Sequence, residues 1–166
     1  MIVITDGQID IYSGGVLEQT IPAPYTLAQI KQVAWTQSAD TLLLTHPDVH
    51  PKKLVRSIGG VWSLSDWSFF TDNNITHQPY YKFADAEVTL TPSGTSGSIT
   101  RTASEGVFTA NHEGVRMRVK GKEVEVTDFD SPTVISVTTI EDLPDTDPTI
   151  DWFEAAFSPA RGYPVT

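Results

Sequence analysis

An all-β fold built from short antiparallel strands is what this sequence predicts, and three observations carry the prediction. Apolar and polar residues alternate with a period of two through most of the chain. Turn formers such as Asp6-Gly7 punctuate the alternating runs, and only one segment before residue 150, "TLAQIKQV", has a helical pattern. The 166 residues suit one ordinary domain or two small ones, and 39% hydrophobic content is enough for a buried core. No apolar run approaches the roughly 20 residues of a membrane helix, and "MIVITDGQID" lacks the basic start and apolar stretch of a signal peptide. A soluble chain with no membrane partner is therefore expected. The absence of cysteine excludes disulfides, thiolate metal sites and thiol catalysis.

Taken in order, "IVIT" and "QIDIY" flank Asp6-Gly7 and predict an opening hairpin. "GGVLEQTIPAPY" gives a third strand, stopped by Pro22 and Pro24, and "TLAQIKQV" predicts one or two helical turns with Thr26 as N-cap. "TLLLTH" and "KKLVRS" read as strands joined through the corner "PDVHP". Residues 58–83 are rich in aromatics: Trp62, Trp67, Phe69, Phe70, Tyr80, Tyr81 and Phe83. They are read first as packing residues, with Trp62 and Trp67 the alternative platform for a glycan. Beyond Asp85, "PSGTSGS" separates two alternating strands. In "GVRMRVKGKEVEV", Val115, Met117 and Val119 point opposite to Arg116, Arg118 and Lys120, with a turn expected at Gly121-Lys122. Glu123 and Glu125 face those cations across the turn, so cross-strand ion pairs account for them. "TVISVTTI" is a last strand of this segment, and "DWFEAAFSPARGYPVT" returns to aromatic character. That return predicts a discontinuous domain, 1–82 plus 150–166, interrupted by an inserted small β-barrel over 83–149.

Candidate chemistry is sparse. His46 and His50 in "HPDVHP", with Asp48 between them, have the spacing of a helical metal pair. Pro47 and Pro51 each push the preceding histidine out of helical geometry, so a turn is favoured over a metal site. Asp142, Asp145, Asp147 and Asp151 lie in an acidic connector that lacks the glycine and terminal glutamate of a calcium loop. His77 and His112 sit beside turn formers and read as surface or hydrogen-bonding residues. No nucleophile elbow, phosphate loop, dinucleotide fingerprint or zinc-protease motif occurs. No enzyme, no cofactor and no metal are therefore expected, and no residue is assigned a catalytic or cofactor-binding role. The net charge of −10 is concentrated in residues 79–149, with six Lys/Arg against twelve Asp/Glu. A surface of that sign disfavours specific nucleic-acid binding, although it suits a channel wall that must not hold DNA.

The motif order is more specific than the periodicity. "QSADTLLLTHPDVHPKKL", then "WSLSDWSF", then "GVFTANHEGVRMRV", then "DWFEAAFSPARGYP" resembles a large bacteriophage structural protein of the tail-nozzle or stabilisation type. The resemblance runs from about Asp6 to Pro164. It implies propeller-blade-like antiparallel strands around a DNA channel. It also implies, over 83–149, a small β-barrel like the one beside the first catalytic cysteine half-domain of ubiquitin-activating enzymes. No ubiquitin chemistry follows, since the chain has no cysteine. The resemblance further implies a virion component assembled in the bacterial cytoplasm, with homo-oligomers and other tail proteins as partners. A carbohydrate-binding module of a tail fibre, contacting a host glycan, is the alternative. Members of that family are several times longer, so a fragment or shortened relative is expected, with unpaired strand edges near Ile2–Thr5 and Val165–Thr166.

Overall fold

The computed structural model describes residues 1–163, and the fold is all-β. Sixteen strands form four antiparallel sheets, and three single turns of 3₁₀ helix are the helical elements among the described residues. The chain divides into two compact units at Ser68/Phe69.

The first unit opens with β1 (Ile2–Thr5), β2 (Gln8–Ser13) and β3 (Val16–Pro22), a three-stranded meander. Thr5 lies opposite Gln8, so Asp6-Gly7 is a two-residue turn, and Gly7 has the positive φ of 74° that this turn requires. The predicted helix is a single 3₁₀ turn, Ile30–Gln32. Thr26 does not cap it by its side chain. Instead the Gln29 side chain accepts from the Thr26 amide and hydroxyl, at 3.0 and 3.1 Å. Val33 then turns extended and leads into β4 (Ala34–Ser38).

Strands β4, β5 (Thr41–His46), β6 (Val49–Arg56) and β7 (Trp62–Asp66) form a second meander in sequential order. The corner between β5 and β6 is shorter than predicted, because Pro47-Asp48 alone makes the turn and His46 lies opposite Val49. His50 and Pro51 belong to β6, where a bulge sets both against Thr45; the bulge accommodates a proline that has no N–H for the ladder. Ile9, Ile11, Ile21, Tyr25, Leu42, Leu44 and Leu54 form one core from both meanders. Paired bonds between Gln19 and the Trp62 main chain, at 2.7 and 2.9 Å, tie β3 to β7.

The second unit begins with the hairpin β8 (Phe70–Asp72) and β9 (Ile75–His77), turned by Asn73-Asn74, both at positive φ. Its main sheet contains β10 (Tyr80–Tyr81), β11 (Leu90–Pro92), β12 (Ser98–Ala103), β13 (Arg116–Val119), β14 (Lys122–Ser131), β15 (Val134–Thr139) and β16 (Trp152–Ala155). The spatial order is β10-β16-β13-β14-β15-β12-β11. The β13–β14 turn is Lys120-Gly121, one residue earlier than predicted. Val119 pairs with Lys122, and both turn residues take positive φ.

Two expectations need correction here. The inserted barrel is an open seven-stranded sheet, not a closed barrel. Its ends approach, with Leu90 and Thr149 exchanging backbone bonds of 2.8 and 3.0 Å and the Trp152 indole donating to the Val88 carbonyl at 2.8 Å, but that single bridge is short of a continuous ladder. The division into units also differs from 1–82 plus 150–166. Trp152–Ala155 pairs with Arg116–Val119 and Tyr80–Tyr81, and Trp152 belongs to the same core as Met117 and Val119. Aromatic composition alone linked the C-terminal stretch to the first half, whereas strand pairing places it in the second unit. Of the predicted free edges, β1 is an outer strand of its sheet, and Val165–Thr166 lies outside the described residues.

Candidate functional site

The "HPDVHP" segment is a structural turn. His46 and His50 are both buried, but they serve the local backbone. The Asp48 amide donates to His46 Nδ1 at 3.0 Å, which fastens the turn and assigns the ring proton to Nε2. His50 Nδ1 lies 3.2 Å from the Pro51 carbonyl. The Tyr25 ring is 6.5 Å from that of His46, and burial pushes its hydroxyl up to about 12. Among the described residues, no three His, Asp or Glu side chains converge as metal ligands.

The densest polar cluster lies in the second unit, where the 3₁₀ turns Ala110–His112 and Pro159–Arg161 pack on each other near β16. Strand alternation sends Glu154 to the inner face beside Met117, fully buried. Arg161 donates to Glu154 Oε2 at 2.6 Å and lies 3.9 Å over the Phe83 ring. His112 caps its own turn, accepting from the Thr109 amide at Nδ1 (3.0 Å), so Nε2 carries the proton and faces the same Glu154 oxygen at 3.5 Å. Ser158 Oγ is buried nearby in sequence to Arg161, without a hydrogen-bond partner among the described residues. A serine beside a histidine and a carboxylate has the composition of a hydrolytic triad. The geometry does not assemble that triad, because His112 Nδ1 is taken by Thr109, Nε2 faces Glu154 Oε2 at 3.5 Å, and among the described residues Ser158 Oγ has no hydrogen bond to the histidine. The cluster is a buried carboxylate, Glu154, held by a partly exposed arginine and faced by a buried histidine.

The outer face of β13 and β14 carries the predicted ion pairs. Arg116 meets Glu125 at 2.9 Å and Glu123 at 3.3 Å. Glu123 is nevertheless fully buried, since the β8–β9 hairpin covers it and the Thr76 amide donates to both its oxygens at 3.1 Å. Arg118 lies over Tyr80 at 4.9 Å, and burial raises the Tyr80 hydroxyl to about 12. Lys120 bonds Asp145 and holds its carboxyl below the usual range, so this aspartate of the acidic connector is an ion-pair partner. Of the two readings of His112, surface or hydrogen-bonding, the structure bears out the second, in a buried position; the sequence reading assigns no site to Glu154, Ser158 and Arg161. The "DWFEAAFSPARGYP" motif that contains them was the available signal.

Arg101 is the outlier. It occupies the inner face of β12 between Ile99 and Ala103, with 0% of its surface exposed, and none of its three guanidinium nitrogens has a hydrogen-bond partner among the described residues. Burial pulls it down to about 10.

The surface is the remaining candidate. All five residues of the outer strand β4, "AWTQS", are exposed, and Trp35 is 67% exposed. Trp62 is half-buried and packs against the first core, and Trp67 is half-buried too, so neither forms an open platform. Tyr81 and Phe83, in edge-on contact at 5.0 Å, are the exposed aromatic pair of the second unit. No family model matches the chain, and no curated protein matches it in sequence.

Proposed function

We propose that this chain is a structural component of a phage tail, of nozzle or hub type, that works by packing against copies of itself and neighbouring tail proteins in the virion. The observation that carries the reading is the outer strand β4. It is uncharged, has no proline, and presents Trp35 to solvent on a four-stranded antiparallel meander. Natural sheets usually protect such an edge with lysine, proline or a bulge, and an unprotected edge is a template for another strand. A four-stranded meander is also the shape of one propeller blade. The motif order quoted above supports the same assignment. Proximity to a DNA channel without specific nucleic-acid binding fits the acidic balance.

The test is light scattering on the purified chain over a range of concentrations, with Trp35→Lys alongside. Ring-sized or concentration-dependent assembly is expected for the natural chain, and loss of that assembly for W35K with its unfolding midpoint unchanged. A monomer at every concentration, or an assembly that W35K leaves intact, would overturn the reading.

A further inference from the structure

Two half-buried cations of the second unit each have at least one polar partner. Lys82 donates to the carbonyls of Ala86, Val88 and Ile150 at 2.8, 3.0 and 2.8 Å, and Arg161 meets Glu154. Arg101 stands apart. Its cross-strand neighbours on the inner face are Ile135 on β15 and Pro92 on β11, both buried. Ile99 and Ala103 flank it along β12. A guanidinium presents five N–H donors, and leaving an ionised group unpaired in an apolar interior is among the most unfavourable arrangements a fold can hold. Native proteins pair such a group or give it a ligand. Among the described residues no side chain or carbonyl does so, and no carboxylate forms an ion pair with it.

We propose that the interior of the second unit holds one small monovalent anion of halide type against the Arg101 guanidinium. The charge balance selects the class: one isolated cation neutralises one negative charge, and a phosphate or sulfate would bring an uncompensated second charge into the same apolar wall. Size selects further. A single-atom anion accepts from several N–H groups of the planar fork at once and needs the least space in a close-packed core. The anion would be an integral part of the fold, and the inference does not depend on the tail reading.

The experiment is thermal unfolding of the full chain at fixed ionic strength, with sodium gluconate exchanged stepwise for sodium bromide. For the natural chain, the midpoint of the second unit is expected to rise saturably by about 5 °C, as linkage requires of a ligand that binds only the folded state. In Arg101→Met the midpoint is expected to be independent of bromide, and in Arg101→Lys a weakened dependence is expected to remain. Crystals grown in bromide supply the second readout, with anomalous density at the guanidinium of the natural chain. A flat bromide response in the natural chain, an equal response in R101M, or ordered water alone at the guanidinium would each overturn the proposal. If R101M does not fold, the anomalous density decides.

Discussion

The first unit gathers seven buried apolar residues between two open meanders, whereas the second gathers fourteen from one sheet whose ends nearly meet and from the loops that pack on it. The first leaves Val16, Leu17, Leu27, Trp35, Ile58 and Val61 in solvent; the second leaves Phe70, Tyr81, Phe83 and Ile150. The polar residues divide the other way. Arg101, His112, Glu123, Glu154 and Ser158 are all buried in the second unit, against Asp10, His46 and His50 in the first. Curling a sheet toward closure covers its apolar face and its edges, but it also captures charged side chains that alternation has turned inward, here Arg101 and Glu154. Open sheets avoid that electrostatic cost and keep apolar surface available to other chains.

The sharpest way to break the contrast is at the seam. Trp152→Ala removes a fully buried indole together with its bond to Val88, and the second unit is expected to lose about 4 kcal/mol in denaturant unfolding. A loss near zero would mean that the seam contributes nothing. Next comes Leu44→Ala, at a fully buried position of the smaller core, with an expected loss of about 3 kcal/mol. Because that core has half as many members, calorimetry should show the lower-melting transition moving while the upper one stays. Movement of the upper transition would contradict the ranking of the units.

Alkaline pH gives the smallest and most selective effect. Tyr25 has its folded value raised to about 12, so its contribution is complete below its ordinary value of 10 and is lost as pH climbs through 12. That costs the first unit on the order of 2 kcal/mol. In the second unit two groups oppose each other. Tyr80 behaves as Tyr25 does, while Arg101, lowered to about 10, is penalised in full below that pH and relieved as pH rises further. With gluconate as the sole anion, so that no halide faces Arg101, raising the pH from about 9 to about 11 should therefore lower the first transition more than the second. Equal shifts in a calorimeter would refute the opposition.

What could be read from the sequence follows the range of the interactions. The Asp6-Gly7 hairpin and the alternation of Val115, Met117 and Val119 against Arg116, Arg118 and Lys120 are properties of neighbouring residues, and the fold contains both. The β13–β14 turn was placed one residue late because Lys120 takes a positive φ that a lysine does not advertise. The one or two helical turns expected of this segment are a single 3₁₀ turn, because the backbone is extended from Val33. The position of β16 was not legible, since pairing of residues 152–155 with residues 116–119 depends on register across a long separation. The burial of Glu123 beneath a hairpin from residues 70–77 was hidden for the same reason. Alternation does set Arg101 on the face of Ile99 and Ala103, against Thr100 and Thr102, but that no partner meets it there depends on strands distant in sequence.

The bridge between Leu90 and Thr149 also orders events in time. It joins residues roughly sixty positions apart, and closing so long a loop lowers chain entropy before any contact compensates. The β13–β14 hairpin turns within two residues and can form in microseconds. The sheet therefore grows outward from that hairpin, its two ends meet last, and the same seam is the place where the folded unit first comes open.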